Sequence, residues 1–390
     1  MTVAAAYARV FPRSPCNWIQ PDRPRMTAEP APLAIDGGAP VRTEPWPMPT
    51  ASTPAEGARP VAAFEAELAA RLGLAATSVI VCADAAEAYR LALSIIEPRT
   101  RGERSEVIVP DLLARQAADA ARVLGWTVVP GEVDADTAAL SVRGLARAMS
   151  DRTALAVVHH AFGHPAVMAE LGRLANDRGV ALIEDVSGAL GASFRGTEVG
   201  LMSAAAVLVG RAGDPITRGA AVIVPDEGVA TRLRPSVGAP NEDDLRVALA
   251  ELRGLDETLH HRRQLAWELT FRLRGLRGVT ALPHNRWVRH AYSRYVIRLR
   301  HLVWKRSQED TVAALNAEGI PCEVACDTPL HQDGALLAPL IGDVRVGEDV
   351  FPLATRLPGE LLAIPLAGDL TSRDMDQVAD ALRKIEAGSL

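Results

Sequence analysis

The sequence has 390 residues, 48% of them hydrophobic and 4% aromatic, and its 42 basic and 48 acidic side chains give a net charge of −6. This composition excludes a disordered or fibrous protein and fits either one large domain with an appendage or roughly two or three domains. An acidic balance without a basic block argues against a nucleic-acid partner. No apolar run reaches the ~18 residues of a membrane helix, and no signal peptide is recognisable, so we expect a cytoplasmic protein without a membrane partner.

The cysteine and lysine counts limit the chemistry further. Four cysteines are too few for a disulfide framework, and Cys322 and Cys326 have no second pair at zinc spacing, so no metal site is expected. Only two of the basic residues are lysines, Lys305 and Lys384. The first 304 residues therefore contain no side-chain amine.

The N-terminal residues 1–33 are rich in Pro and Arg and have no apolar periodicity, which predicts a flexible extension. Translation could start at Met1 or at Met26.

From residue 61 onward, short Val/Ile/Leu runs alternate with stretches of helical spacing. The expected strands are SVIVC (78–82), EVIVP (106–110), TVVP (127–130), ALAVVHH (154–160), VALIED (180–185), AAAVLVG (204–210) and GAAVIVP (219–225). This pattern is typical of a mostly parallel sheet covered by helices on both faces. The last two strands follow each other without a helix and are expected to include an antiparallel member.

The chain changes character after residue 228. A long helical stretch is predicted from about Asp243 to Leu276, followed by the strand RYVIRLR (294–300) and a closing helix at 371–386. We therefore expect an α/β large domain over residues 34–255 and a smaller C-terminal α+β domain over residues 256–390.

Several segments, in this order, resemble the DegT/StrS-like sugar-aminotransferase branch of the fold type I pyridoxal-phosphate (PLP) enzymes, near the aminohydroxybenzoate synthases. They include LAIDGGAPVRTEPWP (33–47), VVHHAFGHPA (157–166), ALIEDVSGALGASFRGTEVG (181–200), LRGLDETLHHRRQLA (252–266) and LLAIPLAGDLT (361–371). The resemblance implies a seven-stranded, mostly parallel sheet, a smaller C-terminal domain and a dimer.

The resemblance also assigns the cofactor positions, and this sequence keeps one of them. Asp185 matches the carboxylate that faces the pyridine nitrogen and keeps it protonated. Gly188 stands where the family has Gln. At the phosphate-binding turn, Asp84 and Ala86 replace the usual Ser/Asn-Gly-Thr, and Asp84 with Glu87 forms a capping-box pattern that would satisfy the helix N-terminus.

Four further positions depart from the family pattern. Ala114 stands in place of the aromatic residue that stacks on the cofactor ring, and Val207 replaces a phosphate-binding Ser. Aligned on AVLVGRAGDPITRGAA (206–221), Ala212 occupies the position of the lysine that forms the Schiff base, and Arg218 that of a Glu. The sequence thus predicts that PLP has been lost and that the chain uses no cofactor.

Other polar residues are placed near this pocket by the resemblance. His160 follows a strand and is, with Asp185, a candidate catalytic residue, and His331 in TPLH matches a family position near the dimer-facing pocket. Asp84 and Asp185 are expected to be buried or half-buried, and Arg115, Arg211 and Arg218 are the cations expected to neutralise them.

Two classes of function follow from these residues. In the first, the chain is an aminotransferase-fold pseudoenzyme that pairs as a homodimer, or as a heterodimer with an active paralogue, in natural-product biosynthesis. In the second, the pocket has been rebuilt for PLP-independent chemistry on a small molecule, with Asp84, Asp185, His160 and the arginines as acid, base and anion clamp. A working PLP aminotransferase with non-standard cofactor anchoring is a third possibility. Whether the chain is an enzyme stays open here, since fold alone does not choose among these.

Overall fold

The computed structural model describes residues 31–47, 52–55, 59–96, 103–283, 286–347, 349–366 and 368–388. The expected N-terminal extension lies outside the described residues except for 31–33. The helices are α1 (Pro60–Leu72), α2 (Ala85–Leu93), α3 (Arg115–Val123), α4 (Val142–Ala148), α5 (Met168–Asp177), α6 (Glu227–Leu233), α7 (Glu242–Arg253), α8 (Leu255–Arg272), α9 (Gln308–Ala317), α10 (Gly334–Leu337), α11 (Pro352–Arg356) and α12 (Ser372–Ala387).

Most of the strands follow the predicted Val/Ile/Leu runs. They are β1 (Val79–Cys82), β2 (Glu106–Pro110), β3 (Thr127–Gly131), β4 (Thr153–His159), β5 (Ala181–Asp185), β6 (Ser193–Phe194), β7 (Thr197–Glu198), β8 (Ala205–Val209), β9 (Ala220–Ile223), β10 (Val279–Ala281), β11 (Val288–Arg289), β12 (Tyr295–Leu299), β13 (Glu323–Val324) and β14 (Leu361–Ile364).

Seven of these strands form the main sheet, in the order β1-β9-β8-β5-β4-β2-β3. The pairs among β2, β3, β4, β5 and β8 are parallel, whereas β9 runs antiparallel to both β8 and β1. The predicted seven-stranded α/β sheet and its antiparallel member are confirmed. Because β5 is central, its carboxyl end lies where ligands of open α/β sheets bind.

The two faces of the main sheet carry different layers. Alternate strand residues such as Ile183 and Val207 pack with α2 and α3 in one apolar cluster. Their sequence neighbours, such as Leu182 and Leu208, pack on the other face in two further clusters that include residues of α1, α4, α5 and α7. This alternation follows from the two-residue period of a strand, and it decides which side chains can meet at the end of β5.

The C-terminal part is built on a four-stranded sheet in the order β10-β12-β14-β13, which is antiparallel throughout. Its core includes Tyr295, Trp304 and Leu382, together with residues of α8, α9 and α12. The domain boundary at residues 255 and 256 stays a prediction.

The predicted helix from Asp243 to Leu276 is two helices. α7 ends at Arg253 and α8 begins at Leu255, with Gly254 between them. Glycine has no Cβ and is a poor helix former, so it permits this break in a region of otherwise helical periodicity.

Three short strands form a separate sheet in the order β11-β6-β7. Among the described helices, none is both long and apolar enough to cross a bilayer.

Candidate functional site

Asp185 is the last residue of β5, at the centre of the main sheet, and its side chain is 4% exposed. It pairs in parallel register with His159 on one side and with Val207 on the other. Residues in parallel register point to the same face of a sheet, so these three side chains face α2. Asp185 therefore occupies the position predicted from the sequence.

The Asp185 carboxylate is already hydrogen-bonded by protein groups. Its Oδ2 accepts a short hydrogen bond from the Tyr89 hydroxyl, and its Oδ1 accepts the Ser187 backbone N–H at 2.9 Å. Tyr89 lies on α2 and is 2% exposed. Burial, followed by the charge of Asp185, raises the pKa of Tyr89 well above its ordinary value, so the phenol stays protonated and donates.

A guanidinium and an amide extend this contact outward. Arg211 Nη2 lies 3.4 Å from the Tyr89 hydroxyl and 2.7 Å from Gln116 Oε1. Burial alone would lower the pKa of Arg211, but the nearby charge of Asp185 raises it overall. A continuous series of hydrogen bonds thus runs from Gln116 through Arg211 and Tyr89 to Asp185. We call it the Tyr89 network.

His159 completes the buried side of this site. Its side chain is buried, and neither ring nitrogen has a hydrogen bond of ordinary geometry within the described residues. Burial is the main cause that lowers the pKa of His159 to about 4, opposed by the nearby Asp185. At neutral pH the ring is therefore an uncharged imidazole beside a carboxylate that Tyr89 already binds.

His160, the predicted catalytic histidine, belongs to the other face of the sheet. Its Nε2 lies 3.0 Å from Glu184 Oε2, and its Nδ1 accepts the Ala166 backbone N–H at 3.0 Å. Nδ1 is thus an acceptor, which places the ring proton on Nε2 and directs it to Glu184. The expectation that His160 joins Asp185 is wrong, because successive strand residues such as Glu184 and Asp185 point to opposite faces.

The turn before α2 is closed by side chains of the chain itself. Asp84 is the N-cap of α2 and accepts the Glu87 backbone N–H at 2.8 Å. The Glu87 carboxylate accepts the backbone N–H groups of Ala83 at 2.7 Å and Gly238 at 2.9 Å. The predicted cap at Asp84 is confirmed, but Glu87 binds the residue before the cap and a distant loop. Asp84 is also exposed rather than buried.

Ala212 lies in the loop between β8 and β9, exposed and covered on one side by an arginine from the start of β12. Arg294 Nη2 donates to the Ala212 carbonyl at 2.9 Å, and Arg294 Nη1 lies 3.6 Å from Asp214 Oδ1. A Cβ at Gly213 would come within 2.6 Å of this guanidinium. The arginine therefore packs directly against the loop that carries Ala212, the residue that the sequence resemblance aligns with the family lysine.

Gly188 has a φ of +73°, a conformation that glycine adopts without strain. A Cβ at this position would lie 3.0 Å from Ser293 Oγ and 3.1 Å from Asp214 Oδ1. Ser293 and Asp214 thus leave little room for a side chain at residue 188. Burial raises the pKa of Asp214 to about 6, although Arg294 and Arg211 oppose the shift.

Three other positions that the sequence predicted to lie near the cofactor carry apolar side chains. Ala114 and Val207 are buried in the same cluster as Tyr89, and Ala86 lies exposed in the first turn of α2. None of these side chains can donate a hydrogen bond. They pack or face solvent.

Several side chains predicted to surround the pocket are used elsewhere. Arg115 pairs with Asp333 at 2.7 Å, and Arg218 pairs with Asp244 at 2.9 Å. His331 makes a short contact with the buried Asp111.

The predicted neutralisation of the two aspartates is therefore wrong. Within the described ranges, no arginine comes within ion-pair distance of Asp84 or Asp185; Arg211 approaches Asp185 only through the Tyr89 hydroxyl. An exposed Asp84 has water around it and needs no cation. Asp185 is instead stabilised by two neutral donors, which can lower the cost of a buried carboxylate without a counter-charge. Sequence reasoning missed Tyr89, whose only signal was an aromatic residue four positions after Ala85 on the sheet-facing side of α2.

A cleft of about 600 Å³ opens beside Asp214, between α7, α8 and the segment after β14. It is lined by Glu251 and by Arg262, which is 4% exposed and whose Nε has no partner within the described residues. Burial lowers the pKa of Arg262 to about 10, with the charge of Asp214 opposing the shift. The cleft is thus a second polar site close to the loop of Ala212.

Comparison with known proteins gives a consistent result. The model of the DegT/DnrJ/EryC1/StrS aminotransferase family matches residues 54–235 and 244–383. The erythromycin biosynthesis sensory transduction protein EryC1 of Saccharopolyspora erythraea is 30% identical over 345 residues, which cover 82% of this chain and 88% of that protein. The 3-amino-5-hydroxybenzoate synthase of Amycolatopsis mediterranei is 32% identical over 56% of this chain and 61% of that protein.

Solved structures agree on the fold. DesI, solved in the presence of its TDP-sugar product, superposes with a TM-score of 0.77 at 23% identity, covering 91% of this chain and 96% of that one. The structure of 3-amino-5-hydroxybenzoic acid synthase superposes with a TM-score of 0.72 at 25% identity, covering 84% and 91%.

These comparisons correct one expectation. The prediction that the chain uses no cofactor is wrong for its family, because the family and its structural neighbours are PLP-dependent aminotransferases. Nothing in the described residues shows that PLP has been lost.

The residues present fit the cofactor in part. Asp185 is buried at the strand end, as a partner of a pyridine nitrogen must be, but Tyr89 shares its carboxylate. Residue 212 is alanine and offers no amine. Lys384 is bound to Glu318 at 2.9 Å, and Lys305 is an exposed residue between β12 and α9; both belong to the C-terminal part of the chain. Binding of PLP to this chain therefore cannot include a Schiff base with residue 212.

Proposed function

Because the chain belongs to the DegT/DnrJ/EryC1/StrS aminotransferase family, we propose that it is an aminotransferase-fold subunit that transfers no amino group by itself. The observation that carries this proposal is Ala212 in the loop between β8 and β9. A lysine there would supply the amine that forms the Schiff base and shuttles protons. The two lysines of the chain lie outside the main sheet and its helices.

The Tyr89 network supports the same proposal. The Asp185 carboxylate already accepts a hydrogen bond from the buried Tyr89 phenol, and the raised pKa of Tyr89 keeps that donor proton in place. His159 is uncharged at neutral pH and lacks a hydrogen-bonded carboxylate to orient it. An acid–base catalyst works best when its pKa lies near the working pH and its partner orients it. His159 meets neither condition.

We further propose that the chain acts by pairing with an active member of the family in natural-product biosynthesis. Trp267 and Phe271 on α8 are 70% and 55% exposed, and their rings stack with centroids 6.1 Å apart. Exposed aromatic pairs are enriched at protein interfaces, where they bury a large area at low entropic cost. This pair is a suitable contact for a homodimer or for a heterodimer with a paralogue. The biosynthetic names of the relatives support the pathway class.

Co-expression with an active family member from the same source tests the proposal. We expect a stable complex by light scattering and amino transfer only by preparations that contain the active partner. Trp267→Ser combined with Phe271→Ser should weaken the complex, whereas Leu302→Ser, at another exposed apolar residue, should leave it unchanged. A chain that stays monomeric with every candidate partner contradicts the pairing.

The cleft beside Asp214 favours a second candidate function, a PLP-independent reaction in a rebuilt pocket. A buried carboxylate whose pKa is about 6 next to an incompletely bonded guanidinium is an arrangement that general acid–base sites use. Turnover of a small molecule by the apo-chain, abolished by Asp214→Asn, would favour this candidate. A third candidate, an aminotransferase with a lysine from another chain, predicts activity only in a mixed dimer whose partner supplies that lysine.

A further inference from the structure

The outer face of the three-stranded sheet carries a concentration of positive charge away from the Tyr89 network. In this sheet Arg289 pairs with Ser193, and Val288 pairs with Phe194. Val288 and Phe194 are buried, so the alternation of side chains turns Arg289 to the opposite, outer face. Arg195 donates its backbone N–H to the Trp287 carbonyl at 2.9 Å. These two residues are therefore neighbours just beyond the pair of Phe194 and Val288.

Four side chains thus meet on this face, and we call them the arginine face: Arg195, Arg286, Trp287 and Arg289. They line an open cleft of about 630 Å³, within the size range of small-molecule sites. The Arg286 guanidinium lies 4.6 Å from the centroid of the Trp287 ring, close enough for a cation–π contact that holds this arginine over the cleft.

None of the three guanidiniums forms an ion pair in the part of the chain that the structure describes. The charge of Arg289 contributes to the lowered pKa of Asp256, and Asp256 already binds Arg71 at 2.9 Å. Glu198, which pairs with Ser193 in the same sheet, also binds Arg71, at 3.0 Å. Arg263 lies behind the face and donates to the carbonyls of His290 and Gly191. Burial and then the charge of Arg289 lower the pKa of Arg263, while the charges of Asp256 and Glu198 oppose the shift.

Uncompensated guanidiniums around one cleft are unexpected in a chain whose net charge is −6. Like charges repel, and a cleft of one sign concentrates ligands of the other sign. Guanidinium forks match the geometry of phosphate oxygens and bind them with two parallel hydrogen bonds. A phosphate group would therefore relieve the repulsion and use donors that the protein leaves open.

We propose that the arginine face binds a small molecule through a phosphate or diphosphate group. The site goes beyond the pairing role proposed above, and it does not depend on Ala212 or on the Tyr89 network. Two sources share this chemistry, the free inorganic ion and a phosphorylated metabolite. A diphosphate engages more than one guanidinium at once, so multivalent contact distinguishes it from a single phosphate.

Calorimetric titration of the full chain with inorganic pyrophosphate, at constant ionic strength, tests the proposal. We expect saturable binding of about one pyrophosphate per chain, weakened at least tenfold in Arg289→Ala and in Arg195→Ala. Arg147→Ala, at an exposed arginine on α4, is the matched control and should bind as the parent does. Trp287→Phe should abolish the fluorescence change that accompanies binding, because this indole is the reporter on the face.

A parallel titration with orthophosphate separates the two sources. Binding at least tenfold weaker than that of pyrophosphate supports a diphosphate-bearing ligand, and equal binding supports the free ion. The proposal is overturned if pyrophosphate shows no saturable binding, or if Arg147→Ala weakens binding as much as Arg289→Ala does. Equal pyrophosphate binding by Arg195→Ala, Arg289→Ala and the parent also overturns it. So does an acidic protein that binds the arginine face and is not displaced by pyrophosphate.

Discussion

The Tyr89 hydroxyl donates a hydrogen bond to the Asp185 carboxylate at the carboxyl end of the central strand. Asp185 is the residue that the sequence resemblance assigns to the pyridine nitrogen, and on that assignment the phenol would share the acceptor with the cofactor. The contact joins α2 to β5 and holds Arg211 at the mouth of the site. It is thus both a stabilising contact of the fold and a constraint on the site.

Replacing Tyr89 with Phe should destabilise the fold by about 1.5–3 kcal/mol, because a buried carboxylate loses a charge-assisted hydrogen bond. Urea denaturation of the two proteins measures the difference. Tyr295→Phe is the matched control, since the Tyr295 hydroxyl bonds to the neutral Thr270 hydroxyl at 2.8 Å and the loss of this bond should cost about 0.5–1.5 kcal/mol. An effect of Tyr89→Phe no larger than the control would show that Asp185 does not rely on this donor.

Removing the His160 imidazole tests whether this histidine is structural. Both His160 and Glu184 are fully buried, so His160→Ala should destabilise the protein by ~3 kcal/mol, the cost of a buried charge that loses its partner. Glu184 keeps its contacts to the Gly200 and Met202 N–H groups, which limits the loss.

The control for this variant is Arg218→Ala. It breaks the exposed pair with Asp244 and should change the free energy of unfolding by less than about 1 kcal/mol. A His160→Ala variant as stable as Arg218→Ala would contradict the structural role and restore His160 as a free functional group.

The N-cap of α2 contributes separately. Asp84→Ala should cost ~1 kcal/mol, because the Glu87 N–H loses its acceptor. Asp226→Ala removes the equivalent cap of α6, where Asp226 accepts the Val229 N–H at 3.0 Å, and should cost a similar amount. Thermal unfolding of both variants checks this prediction. A much larger effect at Asp84 would mean that this aspartate does more than cap the helix.

The sequence predicted the strands of the main sheet because they are continuous Val/Ile/Leu runs, and it predicted Asp185 because one motif places it at a strand end. It also predicted the Asp84 cap, which depends on residues three apart. His160 and the arginine pairs were placed wrongly because their partners, Glu184, Asp244 and Asp333, are chosen by side-chain direction and tertiary packing. The Tyr89 contact joins residues 96 positions apart, and no local pattern encodes it.

Asp214 gives the protein a pH dependence of defined sign. Its pKa is raised to about 6 in the folded state, mainly by burial, so the folded protein binds the proton more tightly than the unfolded chain does. The stability that this contributes is fully present at pH below the unfolded pKa and is lost as the pH rises through about 6. Between pH 7 and pH 4 the parent should therefore gain ~2–3 kcal/mol relative to Asp214→Asn.

Denaturation profiles of the two proteins across this range measure that relative gain. Subtracting one profile from the other removes the contributions of the titrating groups that both proteins share. Any pH-independent change in the free energy of unfolding caused by the amide does not affect the slope of the difference. Parallel profiles would mean that Asp214 titrates normally and is accessible to water in the folded protein.

The most direct test of the central claim is amino transfer by the purified chain alone, supplied with PLP and with glutamine or glutamate as donor. We expect no conversion beyond that of free PLP in solution, because residue 212 is alanine and offers no amine, whether or not the cofactor binds. Borohydride treatment followed by peptide mass analysis should likewise find no adduct between residues 34 and 255. Repeated turnover by the chain alone, with the amino group passing to an acceptor, would contradict the claim.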